Sequence, residues 1–232
     1  MTATPRTEVP ELTFFYDPIS PYAHLAFERL PQALMGLSVQ VRYRPVLFAA
    51  LLMAHGQLGP AELPGKREWT YRQVAWLAHQ AGVKLELPIT HPFNPLPLLR
   101  LGLATATEDA PGDTNRYVTE QLFHHVWHGG GDANSPERLA ALQAHLEDHM
   151  AQRRKPWVAP DGERVKQQLR ANTEAALALG VFGVPSVVHG ERVFWGLDAL
   201  PMLRASLEGD AWFEQGPWAA AAKRPAGIRR KT

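Results

Sequence analysis

The chain has 232 residues, with 24 Lys and Arg against 23 Asp and Glu, a hydrophobic fraction of 45% and no cysteine. A charge this close to neutral provides no general attraction for nucleic acid, and the lack of cysteine excludes disulfides, cysteine nucleophiles and thiolate metal sites. The polar N-terminal residues and the absence of an apolar run of about 20 residues predict a cytoplasmic protein with no targeting signal and no membrane contact.

The N-terminal part of the chain predicts a strand, a helix and a second strand after a flexible tail of residues 1–10. Residues 11–16 form a strand pattern, residues 21–35 a helix pattern, and residues 38–43 alternate as in a second strand. Pro31 predicts a kink or an early end of the helix, because proline lacks the N–H of an interior helical residue. The order strand–helix–strand predicts a parallel, right-handed crossover.

A long middle segment, residues 48–175, lacks strand signals and predicts several helices. Its apolar residues recur at helical spacing in three stripes: Val74, Leu77, Ala78 and Ala81; Val118, Leu122 and Val126; Leu139, Leu142 and Leu146. Ser135–Pro136 and Asp161 are typical helix starts, and Gly180 is a typical helix stop.

The C-terminal part predicts a hairpin followed by a last helix. One strand opens at Val184–Pro185, residues 189–191 form the turn, and a second strand leads to Asp198, where the helix begins. A cis bond before Pro185 would leave the backbone N–H and C=O of Val184 free to pair with an extended ligand. Residues 209–232 end in a basic segment, which we expect to be a disordered tail.

Ser20 stands between the first strand and the first helix, in the run DPISPY of residues 17–22. Proline is favoured at the first position of a helix and serine immediately before it, so we expect Pro21 to begin the helix and Ser20 to cap it. A helix N-terminus exposes free N–H groups and a partial positive charge. The hydroxyl of Ser20 is therefore suited to donate a hydrogen bond to an anion, although alone the residue would be an ordinary N-cap.

Three segments, residues 11–22, GVFGVP at 180–185 and FWGLD at 194–198, together resemble the DsbA-like branch of the thioredoxin superfamily. They are most similar to 2-hydroxychromene-2-carboxylate isomerases and kappa-class glutathione transferases. The resemblance implies an α/β, thioredoxin-like fold with a large inserted all-helical domain. It divides the chain into a discontinuous thioredoxin-like domain, residues 11–47 and 176–208, and a helical insertion, residues 48–175.

The resemblance also implies glutathione as the cofactor, since a thioredoxin-like fold without cysteine needs a thiol from outside the chain. It implies that Ser20 is the catalytic residue, stabilising the thiolate of bound glutathione. The implied glutathione contacts are Ser20, Val184, Pro185, Trp195, Gly196, Leu197 and Asp198. The residues implied for substrate binding are Tyr22, Lys66 and Asn94, where Lys66 would bind the carboxylate end either of glutathione or of the substrate, and the implied assembly is a homodimer.

The chain departs from the isomerases at two places that would contact a carboxylated aromatic substrate. It has no lysine in residues 49–53, and it carries Glu62 and Leu63 where the isomerases carry paired amides. The sequence therefore does not identify the substrate that accepts the thiolate. The leading function is glutathione-dependent cis/trans isomerisation of a conjugated aromatic oxo-acid; the alternatives are a kappa-like transferase that releases its conjugate and a non-catalytic module that binds a thiol or peptide.

Two histidine pairs have the spacing of metal ligands, His124 with His128 and His145 with His149. If their helices form an antiparallel hairpin across residues 129–135, the pairs lie roughly 14 Å apart, at 1.5 Å per helical residue. We therefore expect solvated histidines and no metal.

Overall fold

One mixed sheet carries the two segments that contain the predicted site. The structure, a computed structural model, describes residues 9–214, 216–223 and 227. In these residues the sheet has four strands: β1 (Glu11–Tyr16), β2 (Gln40–Pro45), β3 (Ser186–His189) and β4 (Arg192–Trp195). Their order is β2-β1-β3-β4, with β2 parallel to β1 and the other two neighbouring pairs antiparallel. The predicted crossover and hairpin are both present.

The helices of the described residues lie in the connections between the strands and after β4. Helix α1 (Pro21–Ala33) joins β1 to β2. Between β2 and β3 stands a block of helices: α2 (Phe48–Ala54), α3 (Pro64–Ala81), α4 (Leu96–Leu103), α5 (Arg116–Trp127), α6 (Pro136–Gln152) and α7 (Glu163–Ala178). After β4 come α8 (Leu200–Leu207) and the short α9 (Pro217–Ala222). The predicted α/β fold with inserted helices is confirmed.

Strand β1 is buried on both faces, which explains its nearly continuous apolar sequence. Phe14 and Tyr16 belong to the main core, while Phe15 packs on the other side against Val46 and Val181. The predicted stripes of α3, α5 and α6 supply fully buried side chains: Val74, Val118, Leu122, Val126 and Leu146. The sheet is thus covered on both faces, and the turn after β1 is fixed between the layers.

Three element boundaries differ from those that the sequence pattern predicts. Helix α1 continues past Pro31 to Ala33, because the proline lies in the last turn, where few helical hydrogen bonds remain to be lost. Strand β2 lies two residues later than predicted. Asp198 lies in a 3-10 turn, and α8 begins at Leu200, with Pro201 in the first turn that proline favours.

Parts of both predicted tails lie outside the described residues: residues 1–8, 215, 224–226 and 228–232. The described part of the C-terminal tail packs on the fold. Phe213 is 7% exposed, and the ring of Trp218 stacks on Phe194 at a centroid distance of 6.0 Å. These aromatic contacts attach residues 211–214 and 216–222 to β4, where the sequence predicts disorder. None of the helices in the described part of the chain combines the length and the apolarity that a membrane crossing requires.

Candidate functional site

Ser20 caps helix α1 directly after the turn that ends β1. Its backbone is extended, and its Oγ accepts a hydrogen bond from the N–H of Ala23 at 3.2 Å. Proline occupies the first helical position, as the sequence predicts. The residue is only 6% exposed, so its hydroxyl lies at a partly covered helix N-terminus. The local geometry suits stabilisation of a negative charge placed beside the hydroxyl.

The second contact of Ser20 comes from the far end of the chain. Its Oγ donates to the carbonyl oxygen of Val184 at 3.4 Å, and the peptide bond between Val184 and Pro185 is cis. This distance is long for a hydrogen bond from a hydroxyl, so the bond is weak and its hydrogen can turn to a better acceptor. The N–H of Val184 has no hydrogen-bond acceptor within the described residues. The N–H and the carbonyl of Val184 can therefore both form hydrogen bonds with an extended ligand.

The segment after β4 is tied to the same place by the sheet. Ser186 pairs with Trp195 across the hairpin, and the N–H of Gly196 donates to the carbonyl of Pro185 at 2.9 Å. Gly196 has a φ of 97°, and a Cβ there would lie 2.5 Å from Oδ1 of Asp198. A residue with a side chain would be strained here because L residues rarely adopt this φ, and it would also have to move the Asp198 carboxylate aside. Trp195 and Asp198 are both exposed.

Leu197 and Tyr22 lie at the boundary between the sheet and the inserted helices. Both pack against a cluster that includes Leu25 and Val74. The Tyr22 hydroxyl donates to Oε1 of Gln73 on α3 at 2.7 Å. These contacts bring the start of α1 and the end of the hairpin against α3.

Two of the predicted substrate residues make no hydrogen bond to this group in the described part of the chain. Lys66 is exposed in the first turn of α3. Asn94 is also exposed, and its Oδ1 accepts from the N–H of Leu96 at 3.1 Å, a local turn contact. The structure brings together Ser20, Val184, Pro185, Trp195 and Gly196, whereas no hydrogen bond joins Lys66 or Asn94 to them among the described residues.

Asp17 is a buried residue of the site that sequence reasoning missed. Its carboxylate is 0% exposed and accepts from the N–H of Ile19 at 3.1 Å and of Phe48 at 3.0 Å. Burial raises the pKa of Asp17 to about 7, although the two backbone N–H groups act in the opposite direction. Its own carbonyl accepts from the N–H of Ser20 at 3.0 Å. In the sequence Asp17 precedes a proline, a pattern that is typical of an exposed turn and therefore does not predict a buried carboxylate.

Two further side chains that sequence reasoning missed bind the carbonyl groups of the same turn. The indole N–H of Trp127 on α5 donates to the carbonyl of Pro18 at 2.9 Å. Nε2 of His91, in the loop before α4, lies 2.7 Å from the carbonyl oxygen of Ile19. Nothing in the local sequence around either residue predicts these contacts, since they join segments that are distant along the chain.

The histidines of α5 are less solvated than the sequence suggests. Nε2 of His124 lies 3.3 Å from Oε1 of Glu28, and this hydrogen bond lowers the pKa of the Glu28 carboxyl. Among the described residues, Glu28, Glu120 and His124 place one ligand atom each within 4.8 Å of one another. The hydrogen bond between Glu28 and His124 holds these two side chains together, and the absence of a metal stays a prediction.

Comparison with known proteins places most of the chain in one family of sequences. The DSBA-like thioredoxin domain matches residues 11–208. Over 236 residues the chain is 28% identical to human glutathione S-transferase kappa 1, covering 96% of this chain and 100% of that protein. Over 199 residues it is 29% identical to a 2-hydroxychromene-2-carboxylate isomerase of Pseudomonas sp. strain C18, covering 84% and 89%.

The solved structures agree on the fold. A 2-hydroxychromene-2-carboxylate isomerase superposes with a TM-score of 0.70 over 92% of this chain and 100% of its own, at 21% sequence identity. At that identity the likeness concerns the fold alone.

Proposed function

Because the chain belongs to the DSBA-like thioredoxin domain family, we propose that it is a glutathione-dependent isomerase of the 2-hydroxychromene-2-carboxylate isomerase type. Its homologues are isomerases and glutathione transferases, which supports an enzymatic function. The observation that carries the proposal is a serine hydroxyl, in a chain without cysteine, at the N-terminus of α1 and against the Val184 carbonyl. A thiol chemistry at this position needs a thiol from a bound molecule.

Ser20 would lower the pKa of that thiol. A free thiol has a pKa of about 8.5, and a helix N-terminus lowers it. The hydroxyl already accepts from Ala23, so its hydrogen is the part left to donate, and its present acceptor is 3.4 Å away. A thiolate beside Oγ would therefore gain one hydrogen bond and the partial charge of the helix.

The backbone of Val184 and the segment 195–198 would hold the rest of glutathione. The cysteinyl part would pair with the N–H of Val184, as an extended peptide adds to a sheet edge. The γ-glutamyl end would lie at Gly196, with its ammonium group at the exposed carboxylate of Asp198. Pro185, Trp195 and Leu197 would shape this surface.

Bound glutathione would supply a thiolate that adds reversibly to a conjugated double bond of an aromatic oxo-acid, which lets that bond rotate before the thiolate leaves. The chain contributes orientation and electrostatic stabilisation. Tyr22, packed between α1 and α3, would contact the aromatic part of the substrate. Lys66, exposed in the first turn of α3, would bind a carboxylate of glutathione or of the substrate, and the exposed Asn94 would contact the substrate. The homodimer also stays a proposal, which sedimentation measurements test.

A second candidate is a kappa-like glutathione transferase that releases the conjugate. The match to the human kappa transferase over 96% of this chain favours it. Both reactions need the same thiolate, so product analysis separates them: an isomer with glutathione regenerated, or a stable thioether.

The decisive experiment is calorimetric titration of glutathione and S-methylglutathione into the wild type, Ser20→Ala and the cap control Ser135→Ala. Ser135 caps α6 in the same way, by accepting from the N–H of Arg138. We expect the wild type and Ser135→Ala to bind both ligands, with tighter binding of the free thiol near neutral pH. Ser20→Ala should still bind S-methylglutathione, but it should no longer bind the free thiol more tightly. If the wild type binds neither ligand, the glutathione assignment is wrong.

A further inference from the structure

The turn that carries Ser20 is held by a histidine from the loop between α3 and α4. We propose that His91 is a positioning residue: by donating to the carbonyl of Ile19, it orients the peptide that precedes Ser20 and so directs the Ser20 hydroxyl. The proposal deepens the function proposed above and rests on it for the identity of the thiol. The contact with Ile19 itself is independent of any ligand.

Two hydrogen bonds define the tautomer of His91. Nε2 lies 2.7 Å from the carbonyl oxygen of Ile19, which can only accept, so Nε2 carries the hydrogen. In the neutral ring Nδ1 is then an acceptor, and it lies 2.8 Å from the hydroxyl of Tyr71 on α3. The single hydrogen of the Tyr71 hydroxyl has two acceptors within reach, Nδ1 and, at 3.1 Å, the carbonyl oxygen of His91; the shorter contact is to Nδ1, and donation there favours the tautomer that can reach Ile19.

His91 is the sole hydrogen-bond partner of the Ile19 carbonyl among the described residues. The other groups of the turn have partners of their own: Trp127 binds the Pro18 carbonyl, and Asp17 binds the N–H of Ile19 and of Ser20. Removing His91 would leave one backbone acceptor of this turn unpaired. An unpaired, partly buried carbonyl costs free energy, so the peptide would rotate to find water. That rotation moves Ser20, the next residue.

The surroundings keep the histidine in its neutral, oriented form. Burial lowers the pKa of His91, and the positive charge of Arg67 on α3 adds to the effect. The guanidinium of Arg67 donates to the carbonyl of His91 at 3.0 Å. The ring also packs against Phe93 and Trp127, with centroids 5.9 and 5.6 Å away. Residues of the segment between β2 and β3 therefore determine the position of the Ser20 hydroxyl.

Three substitutions test the proposal with a matched control. His91→Leu removes the donor, His91→Gln retains an N–H at similar reach, and Tyr71→Phe removes the group that selects the tautomer. The control is Tyr117→Phe, which removes a similar tyrosine–histidine bond, 2.6 Å to Nε2 of His145, between α5 and α6. The measurements are the ionisation of bound glutathione, from thiolate absorbance against pH, the affinity for S-methylglutathione, and the hydrogen exchange rate of the Ser20 amide without ligand.

We expect His91→Leu to weaken the stabilisation of the thiolate about fivefold, the effect of one lost hydrogen bond, and to speed exchange of the Ser20 amide by a similar factor. Affinity for S-methylglutathione should change less than twofold. His91→Gln should bring the thiolate stabilisation and the Ser20 amide exchange back to wild-type values. Tyr71→Phe should give values between those of His91→Leu and the wild type, and Tyr117→Phe should match the wild type.

The proposal is overturned if His91→Leu leaves both the thiol ionisation and the Ser20 amide exchange at wild-type values. If the wild type binds no glutathione, the proposed function fails, and the exchange rate alone decides the positioning role. If His91→Leu does not fold, Tyr71→Phe against Tyr117→Phe decides it by the same two readouts.

Discussion

The hydroxyl of Ser20 lies 3.4 Å from the carbonyl oxygen of Val184, although 164 positions separate the two residues in the chain. They meet because β1 and β3 are antiparallel neighbours, with Phe15 opposite Ser186. Ser20 follows the end of β1, and Val184 precedes the start of β3. The sheet order therefore assembles the candidate thiol-binding surface from the two ends of the domain, with a hydroxyl donor on one side and an extended backbone on the other.

A single introduced cysteine would report the electrostatics of this position. Because the chain has no cysteine, Ser20→Cys contains one thiol, at the N-terminus of α1. Its pKa should lie well below the value of about 8.5 for a free thiol. The control is Thr90→Cys in an exposed loop. Alkylation rates against pH measure both pKa values, and equal values would contradict the assignment of the helix N-terminus as an anion site.

The cap function of Ser20 should be separable from its function toward a thiol. Ser20→Ala and Ser135→Ala each remove a side-chain acceptor from a helix N-terminus, so each should lower the free energy of unfolding by about 1 kcal/mol. Denaturant unfolding measures this cost. If Ser20→Ala alone abolished folding, its binding phenotype could not be attributed to the hydroxyl.

Asp17 should make the protein less stable as pH rises from about 4 to about 7. Its folded pKa is raised by burial to about 7 from the ordinary value of 3.8, so in this window the folded carboxyl keeps a proton that the unfolded one has lost. The free energy of unfolding then falls with pH, by at most about 1.4 kcal/mol per unit. Asp17→Asn should make the free energy of unfolding less dependent on pH. It should also lower that free energy by the same amount at every pH, because one contact with a backbone N–H is lost. Unfolding at several pH values gives both slopes, and parallel profiles would exclude the raised pKa.

His24 should act in the opposite direction over nearly the same range. Burial lowers its pKa from 6.5 to about 4, so between these values the unfolded histidine binds a proton that the folded one does not. Stability then falls as pH falls. His24→Gln retains a donor for the carbonyl of Lys84, which lies 3.2 Å from Nε2, and removes the titration. Its stability should decline less than that of the wild type below pH 6.5, as measured by the same unfolding series.

Gly183 should tolerate no side chain while Trp195 keeps its place. A Cβ on Gly183 would lie 2.7 Å from Nε1 of Trp195, so Gly183→Ala must displace the indole from the candidate site. We expect altered tryptophan fluorescence and weaker binding of S-methylglutathione. Gly65→Ala is the control, since a Cβ there meets nothing within 4 Å. Unchanged binding in Gly183→Ala would remove Trp195 from the proposed ligand surface.

Local chemistry was sufficient to predict the elements that carry the site. Strand β1 has the bounds that the apolar run predicts, and Ser20 caps a helix that begins at Pro21, because a cap is a contact between residues three apart. The hairpin at residues 186–195 was predicted for the same reason: its turn and its pairing partners are adjacent in the chain.

The sequence by itself determined the absence of an internal thiol, the helix N-terminus at Ser20 and the extended segment at Val184. Only the tertiary structure decided what surrounds them. Asp17 binds the N–H of Phe48, His91 binds Ile19 and Trp127 binds Pro18, across 31, 72 and 109 positions of the chain. Such contacts depend on how the inserted helices pack on the sheet, and a pattern that extends over one helix or one strand contains no information about which distant backbone group a side chain will reach.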